Sequence, residues 1–163
     1  MPATSEHHRA GTVVELRLPA RLDRVHLARC LVVSVAETSA AAFDDRRLED
    51  LRLVVSEACT NAVEAQALVD GDGTPGLGRN GRADSILVRC TLLEDGVAIE
   101  VVDQGPGLPG AVRAWVETTP IAPPASGFGL YLMRTLADSC EIRSTPVGTT
   151  ARLCFLGAAG GEA

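Results

Sequence analysis

The stretch SEACTNAVEA, residues 56–65, lies within a longer segment, about Asp44 to Val69, whose apolar residues keep a helical beat. Leu51, Val54, Val55, Ala58, Cys59 and Ala62 follow an i, i+3, i+4, i+7, i+8, i+11 pattern, which on an α-helix makes one buried stripe. Glu57, Asn61 and Glu64 stand at i, i+4 and i+7 and form a polar stripe beside the apolar one, not opposite it. Side chains at such an edge can face a ligand lodged between the helix and neighbouring loops. A carboxylate with a carboxamide one turn on can serve as a base and as an oxygen ligand for magnesium. The bland alternative is a solvated helix face, but asparagine is a poor helix former in mid-helix. Asp44 or Asp45 suits the N-cap, and the acidic start complements the helix dipole.

Outward from this helix the chain alternates strands, helices and loops. Residues 1–10 are polar and read as a flexible N-terminus, Thr12 to Leu18 as a strand ended by Pro19, and Leu22 to Ala36 as a helix with one buried side. Residues 70–84, DGDGTPGLGRNGRAD, read as a solvated loop. Asp70 and Asp72 resemble the opening of a calcium loop, but glycines frame them and the closing glutamate is missing. Ser85 to Leu93 and Val97 to Val102 form a hairpin around Glu94-Asp95-Gly96. Gly105 to Pro124 reads as loop, with Pro106, Pro109, Pro120, Pro123 and Pro124 breaking any element. A helix over Gly127 to Asp138, strands near Glu141–Ser144 and Thr149–Phe155, and a flexible tail over 157–163 complete the order. Helices grouped against a mixed or antiparallel sheet make a two-layer α/β (α+β) sandwich, with one domain over residues 11–156.

Composition narrows the function. The 163 residues fit one domain, and 46% hydrophobic against 22% charged residues allow a packed core built on Leu, Val and Ala, since aromatics are only 3%. A formal net charge of −6 argues against direct nucleic-acid binding. All 15 basic residues are arginine, which excludes lysine Schiff-base chemistry and a Walker-type phosphate loop. The five cysteines, Cys30, Cys59, Cys90, Cys140 and Cys154, form no CxxC pair and read as buried reduced thiols in a cytoplasmic protein. Neither a signal peptide nor a membrane-spanning run is expected.

Three further segments carry chemistry. Asp103-Gln104-Gly105-Pro106-Gly107 follows an apolar strand; an aspartate there can accept from an exocyclic amine, while glycines let backbone approach a planar ring. A tight turn is the competing reading. Gly105, Gly107 and Gly110 also spell GxGxxG, but Pro106, Pro109 and the upstream hairpin fit a dinucleotide fingerprint poorly. Ser126-Gly127-Phe128-Gly129-Leu130 opens a helix, and free N–H groups at such a start suit phosphate as well as they suit a plain helix start. Gly148-Thr149-Thr150 precedes the last strand, where a threonine hydroxyl can join Asp103 at a purine.

In this order, SEACTNAVEA (56–65), DQGPG (103–107), SGFGL (126–130) and GTT (148–150) resemble the nucleotide site of the GHKL, or Bergerat-fold, ATPase superfamily, over roughly residues 12–156. The small size, the NAVEA of the first box and the GTT are similar to the anti-sigma regulatory serine/threonine-protein kinases. That resemblance implies ATP and Mg2+ as cofactors. Glu57 would then be the catalytic base for a substrate serine, Asn61 would hold magnesium, and Asp103 would read the adenine amino group. Gly105, Gly107, Ser126, Gly127, Phe128, Gly129, Leu130, Thr149 and Thr150 would complete the nucleotide site. It also implies a sigma factor and an anti-anti-sigma (STAS-type) antagonist as partners, a homodimer, and no membrane contact. Related kinases often carry a basic residue just before the second glycine box, where this chain has Ala125. A catalytically weak, ATP-responsive binding module is therefore the alternative.

Overall fold

A computed structural model describes residues 11–68, 85–117 and 127–158. The element order is β1 Val13–Pro19, a 3-10 turn Leu22–Arg24, α1 Val25–Glu37, α2 Asp45–Ala67, β2 Ser85–Leu92, β3 Gly96–Val102, α3 Gly110–Glu117, α4 Phe128–Leu136, β4 Ser139–Thr145 and β5 Gly148–Leu156. The strands form one sheet in the order β1-β2-β3-β5-β4, with every pair antiparallel. Of the two sheet types expected, the antiparallel one is realised.

Period-two alternation decides the sheet's two faces. Ile86, Val88, Cys90, Val97, Ile99, Val101, Leu153 and Phe155 point under the helices and are almost fully buried. The opposite face carries a row that crosses all five strands: Glu15 pairs with Arg89, Arg89 with Glu100, Glu100 with Arg152, and Arg152 with Glu141. Charge alternates along the whole row. Arg89 Nε meets Glu15 Oε1 and Arg89 Nη1 meets Glu100 Oε2, each at 2.7 Å. Half-exposed pairs of this kind add little stability each, but opposite signs across strands favour this register over a slipped one.

The apolar stripe of α2 is buried as its spacing requires, with Leu51, Val54, Val55 and Cys59 at zero exposure. Asp44 caps the helix: its Oδ1 accepts the N–H of Arg47 at 2.7 Å. α2 packs between α1 and α4. At its N-terminal end Arg47 donates to the carbonyls of Leu136 at 2.7 Å and Leu156 at 3.4 Å, pairs with Asp138, and stacks over the Phe155 ring at 4.6 Å. One arginine thereby ties the start of α2 to the C-terminal end of α4, where a cation also suits the helix dipole.

Four expectations need correction. α3 interrupts the stretch read as loop; Pro109 stands just before its first turn and accepts the N–H of Arg113 at 2.8 Å. Proline is tolerated at a helix start because its missing N–H needs no partner there. Trp115 of α3 lies under the Arg134 guanidinium at 4.9 Å, and Arg134 also bonds the Val116 carbonyl, so α3 is fastened to α4. The chain from Leu22 begins as a 3-10 turn, and α1 proper starts at Val25. The tail is fixed at least as far as Ala158, which exchanges backbone hydrogen bonds of 2.8 and 3.3 Å with Ala42. Among the thiols only Cys59 and Cys90 are buried, while Cys30 is exposed. The expected loop over 70–84 and the expected flexible first ten residues lie outside the described residues.

Candidate functional site

α2, the end of β3, the start of α4 and the start of β5 converge on one cleft. Asn61, Asp103, Gly107, Leu108, Leu130 and Thr149 are among its walls. Its free volume is about 40 Å³. A larger hollow of about 530 Å³ at the N-terminal end of α2 shares no residue with the cleft, and its Arg47 and Asp138 already satisfy each other.

Two of the polar residues on α2 reach α4. Gly129 lies so close to them that a Cβ built on it would stand 2.6 Å from Glu57 Oε2 and 3.4 Å from Asn61 Nδ2. Glu57 and Asn61 are half-buried at this contact, whereas Glu64 is exposed and turns away. The N-cap of α4 is Gly127, which makes no side-chain cap hydrogen bond to the first turn of the helix. Such a terminus is suited to phosphate.

Asp103 is 6% exposed and stands one residue beyond β3. Its Oδ1 accepts the N–H of Gly105 at 2.8 Å and of Thr149 at 3.2 Å. Burial pushes its carboxyl above the usual aspartate range, and the two N–H donors pull the other way. The loop after it is shaped by close approach. Gly107 has φ +81°, and a Cβ there would meet the Thr145 carbonyl oxygen at 2.3 Å, so no other residue fits. Leu108 N–H is held by Ser144 Oγ at 2.7 Å.

Of the residues read from the sequence, the fold brings Glu57, Asn61, Asp103, Gly105, Gly107, Gly127, Gly129, Leu130 and Thr149 to this region. Thr150 is not among them: it faces the other side of the sheet, beside Glu100, Arg143 and Arg152. Alternation along β5 makes this unavoidable once Thr149 faces the cleft. Phe128 is 60% exposed and stacks on Tyr131 with ring centroids 6.2 Å apart. Ser126 lies outside the described residues. Sequence reasoning missed Gln66, a buried side chain whose Oε1 accepts the N–H of Gln104 at 3.2 Å. The available signal was its place in the apolar stripe, eleven residues, or three turns, after Val55.

An antiparallel sheet under three helices, with a buried aspartate at a strand end and a glycine-rich helix start on one cleft, defines a nucleotide-cleft domain of the Bergerat type. Residues 18–155 match the family model described as histidine kinase-like ATPase domain, and the chain belongs to that family. It is 30% identical over 155 residues to the serine-protein kinase RsbW of Bacillus licheniformis, covering 91% of this chain and 88% of that protein. It is likewise 30% identical over 150 residues to RsbW of Bacillus velezensis, covering 88% and 85%. A crystal structure of the RsbU and RsbW domains of a Mycobacterium tuberculosis protein shares the fold, with a TM-score of 0.58 and 22% identity. The match covers 90% of this chain and 32% of that longer one.

Proposed function

We propose that the chain is an ATP-dependent protein-serine kinase of the anti-sigma type, which sequesters a sigma factor and phosphorylates an anti-anti-sigma (STAS-type) antagonist in the cytoplasm, working as a homodimer. The observation that carries this reading is the contact of Glu57 and Asn61 with Gly129 at the start of α4. It sets a carboxylate and a carboxamide against the helix terminus best suited to phosphate. Asp103 lies across the same cleft for the base. The RsbW relatives support the choice of reaction.

In this account Asp103 accepts from the adenine amino group, with the Thr149 hydroxyl beside it, and first-turn N–H groups of α4 hold the phosphates. Glu57 takes the proton of the substrate serine hydroxyl as its oxygen bonds to the γ-phosphorus; the bond to the bridging oxygen breaks and ADP leaves. Asn61, one turn from Glu57 and beside the start of α4, offers a carboxamide oxygen of the hard kind that Mg2+ takes, and would hold the ion together with phosphate oxygens. The ion would supply charge neutralisation at the phosphates.

Ala125 favours a second reading, an ATP-responsive module that binds its partners without efficient transfer. The Arg113 Nε is buried with no hydrogen-bond partner among the described residues. Mass spectrometry of a purified STAS-type antagonist incubated with the chain and Mg–ATP separates the two. The kinase reading expects phosphoserine, abolished in Glu57→Ala with ATP binding retained. Undiminished transfer by Glu57→Ala would remove the base from Glu57, and ATP binding without any transfer would establish the module instead.

A further inference from the structure

Only two polar residues are buried among the described residues, Gln66 and Asp103, and both bind the same short loop. Gln66 Oε1 accepts the N–H of Gln104 at 3.2 Å, and Asp103 Oδ1 accepts the N–H of Gly105 at 2.8 Å. The N–H of Asp103 itself donates to the Thr149 carbonyl at 3.0 Å. Both peptide planes that flank the Asp103 Cα are therefore pinned, one to β5 and one to the last turn of α2. With both planes fixed, the direction in which the Asp103 side chain leaves the backbone is fixed as well.

The bond to Gln66 acts in one direction. Gly105 already lies against α2, since a Cβ on it would stand 2.7 Å from both the Cβ and the carbonyl oxygen of Ala65. The loop cannot move closer to the helix, and the Gln66 bond stops it moving away. α2 also carries Glu57 and Asn61, so this bond joins the base-reading carboxylate to the helix of the phosphate side.

We propose that Gln66 is a positioning residue for nucleotide-base specificity: by holding the Asp103–Gln104 peptide it aims the Asp103 carboxylate at an exocyclic amine. It thereby favours an amino purine over an oxo purine. The inference rests on the reading of Asp103 as the adenine contact.

The test is calorimetric titration of the full chain with Mg–ATP and with Mg–GTP, on the wild type, Gln66→Met and Gln66→Glu, with thermal melts alongside. Methionine keeps the length and fills the space without an acceptor; glutamate keeps the acceptor. A buried N–H left without its partner is enough to shift an equilibrium about tenfold. Gln66→Met is expected to lose about that factor in ATP affinity and a similar factor in preference for ATP over GTP, while Gln66→Glu keeps most of the preference. A purely structural role would lower the melting temperature without moving the ratio. A folded Gln66→Met with the wild-type ratio would overturn the proposal. If Gln66→Met does not fold, hydrogen exchange at the Gln104 amide of the wild type decides: protection supports the proposal and free exchange overturns it. A wild type that binds neither nucleotide would overturn the reading of the cleft and this proposal together, whereas normal wild-type binding with an unmoved ratio removes Gln66 alone.

Discussion

Asp103 and Thr149 hold each other by two hydrogen bonds: the Asp103 N–H donates to the Thr149 carbonyl at 3.0 Å, and the Thr149 N–H donates to Asp103 Oδ1 at 3.2 Å. The strand pairing of β3 with β5 is thus extended by one residue through a side chain, and a carboxylate is left buried at the rim of the cleft. A buried carboxylate is unfavourable for the empty protein, which is why it marks a ligand site more than a structural one.

Replacing that charge is expected to stabilise the nucleotide-free fold. Burial raises the Asp103 carboxyl above its ordinary value of 3.8, so its contribution to stability is complete below that pH and is lost as pH rises through the folded-state value. Asp103→Asn keeps an oxygen for both N–H donors and carries no charge. Thermal melts at neutral pH should show Asp103→Asn above the wild type, with the difference shrinking as the pH falls toward the aspartate range. A variant that melts lower at neutral pH would contradict the assignment.

Gly129→Ala separates chemistry from folding. A methyl group there meets the far end of the flexible Glu57 side chain at 2.6 Å, so the side chain has to swing aside while the backbone stays. In a helix alanine is favoured over glycine by up to ~1 kcal/mol. The melting temperature should hold or rise, and phosphotransfer to an antagonist protein should fall at least about tenfold, as expected for a displaced base. Unchanged transfer would show that the Glu57–Gly129 contact does not matter to the reaction.

Much of this was legible in the residues because it is local. The α2 stripe, the capping Asp44 and the hairpin around Asp95 follow from spacing and turn chemistry alone. α3 escapes the sequence reading because Pro106 and Pro109 look like breakers. Yet Val112, Trp115 and Val116 stand at i, i+3 and i+4, and a proline just before a helix is a start signal. Thr150 was misplaced for want of a period-two argument that the sequence already contained. The bond from Gln66 to Gln104 spans 38 residues, and the bridge from Ala42 to Ala158 is longer still; neither leaves a local trace.

Arg47 should be a stability residue with little direct effect on the cleft. Its side chain is 22% exposed, and removing it strips the Leu136 carbonyl of a donor, leaves Asp138 without its ion-pair partner and uncovers the Phe155 ring. Arg47→Ala is expected to destabilise the fold by about 2–3 kcal/mol in chemical denaturation. Arg47→Lys should recover only part of this, because lysine cannot reproduce the planar fork. A loss below about 0.5 kcal/mol, the range of ordinary surface substitutions, would contradict the account of the α2–α4 tie.

Alkaline stability should be governed by the thiols. Burial pushes Cys59 and Cys90 from 9.0 to about 12, and the chain has no lysine to titrate in that window. A raised acid holds its full contribution below the unfolded value and loses it as the pH rises, so stability should decline from pH 9 toward about 12. At neutral pH a thiol-alkylating reagent should label the exposed Cys30 first, and Cys59 and Cys90 only on unfolding. Labelling of the two buried thiols at the rate of Cys30 in the folded protein would refute this.

The most direct test of the central claim is calorimetric titration of the full chain with Mg–ATP, repeated on Asp103→Asn, with NAD as a control ligand. The account expects saturable ATP binding by the wild type, its loss in Asp103→Asn, and no heat from NAD. A wild type that binds no ATP, or an Asp103→Asn variant that binds it equally well, would contradict the nucleotide site on which the kinase reading stands.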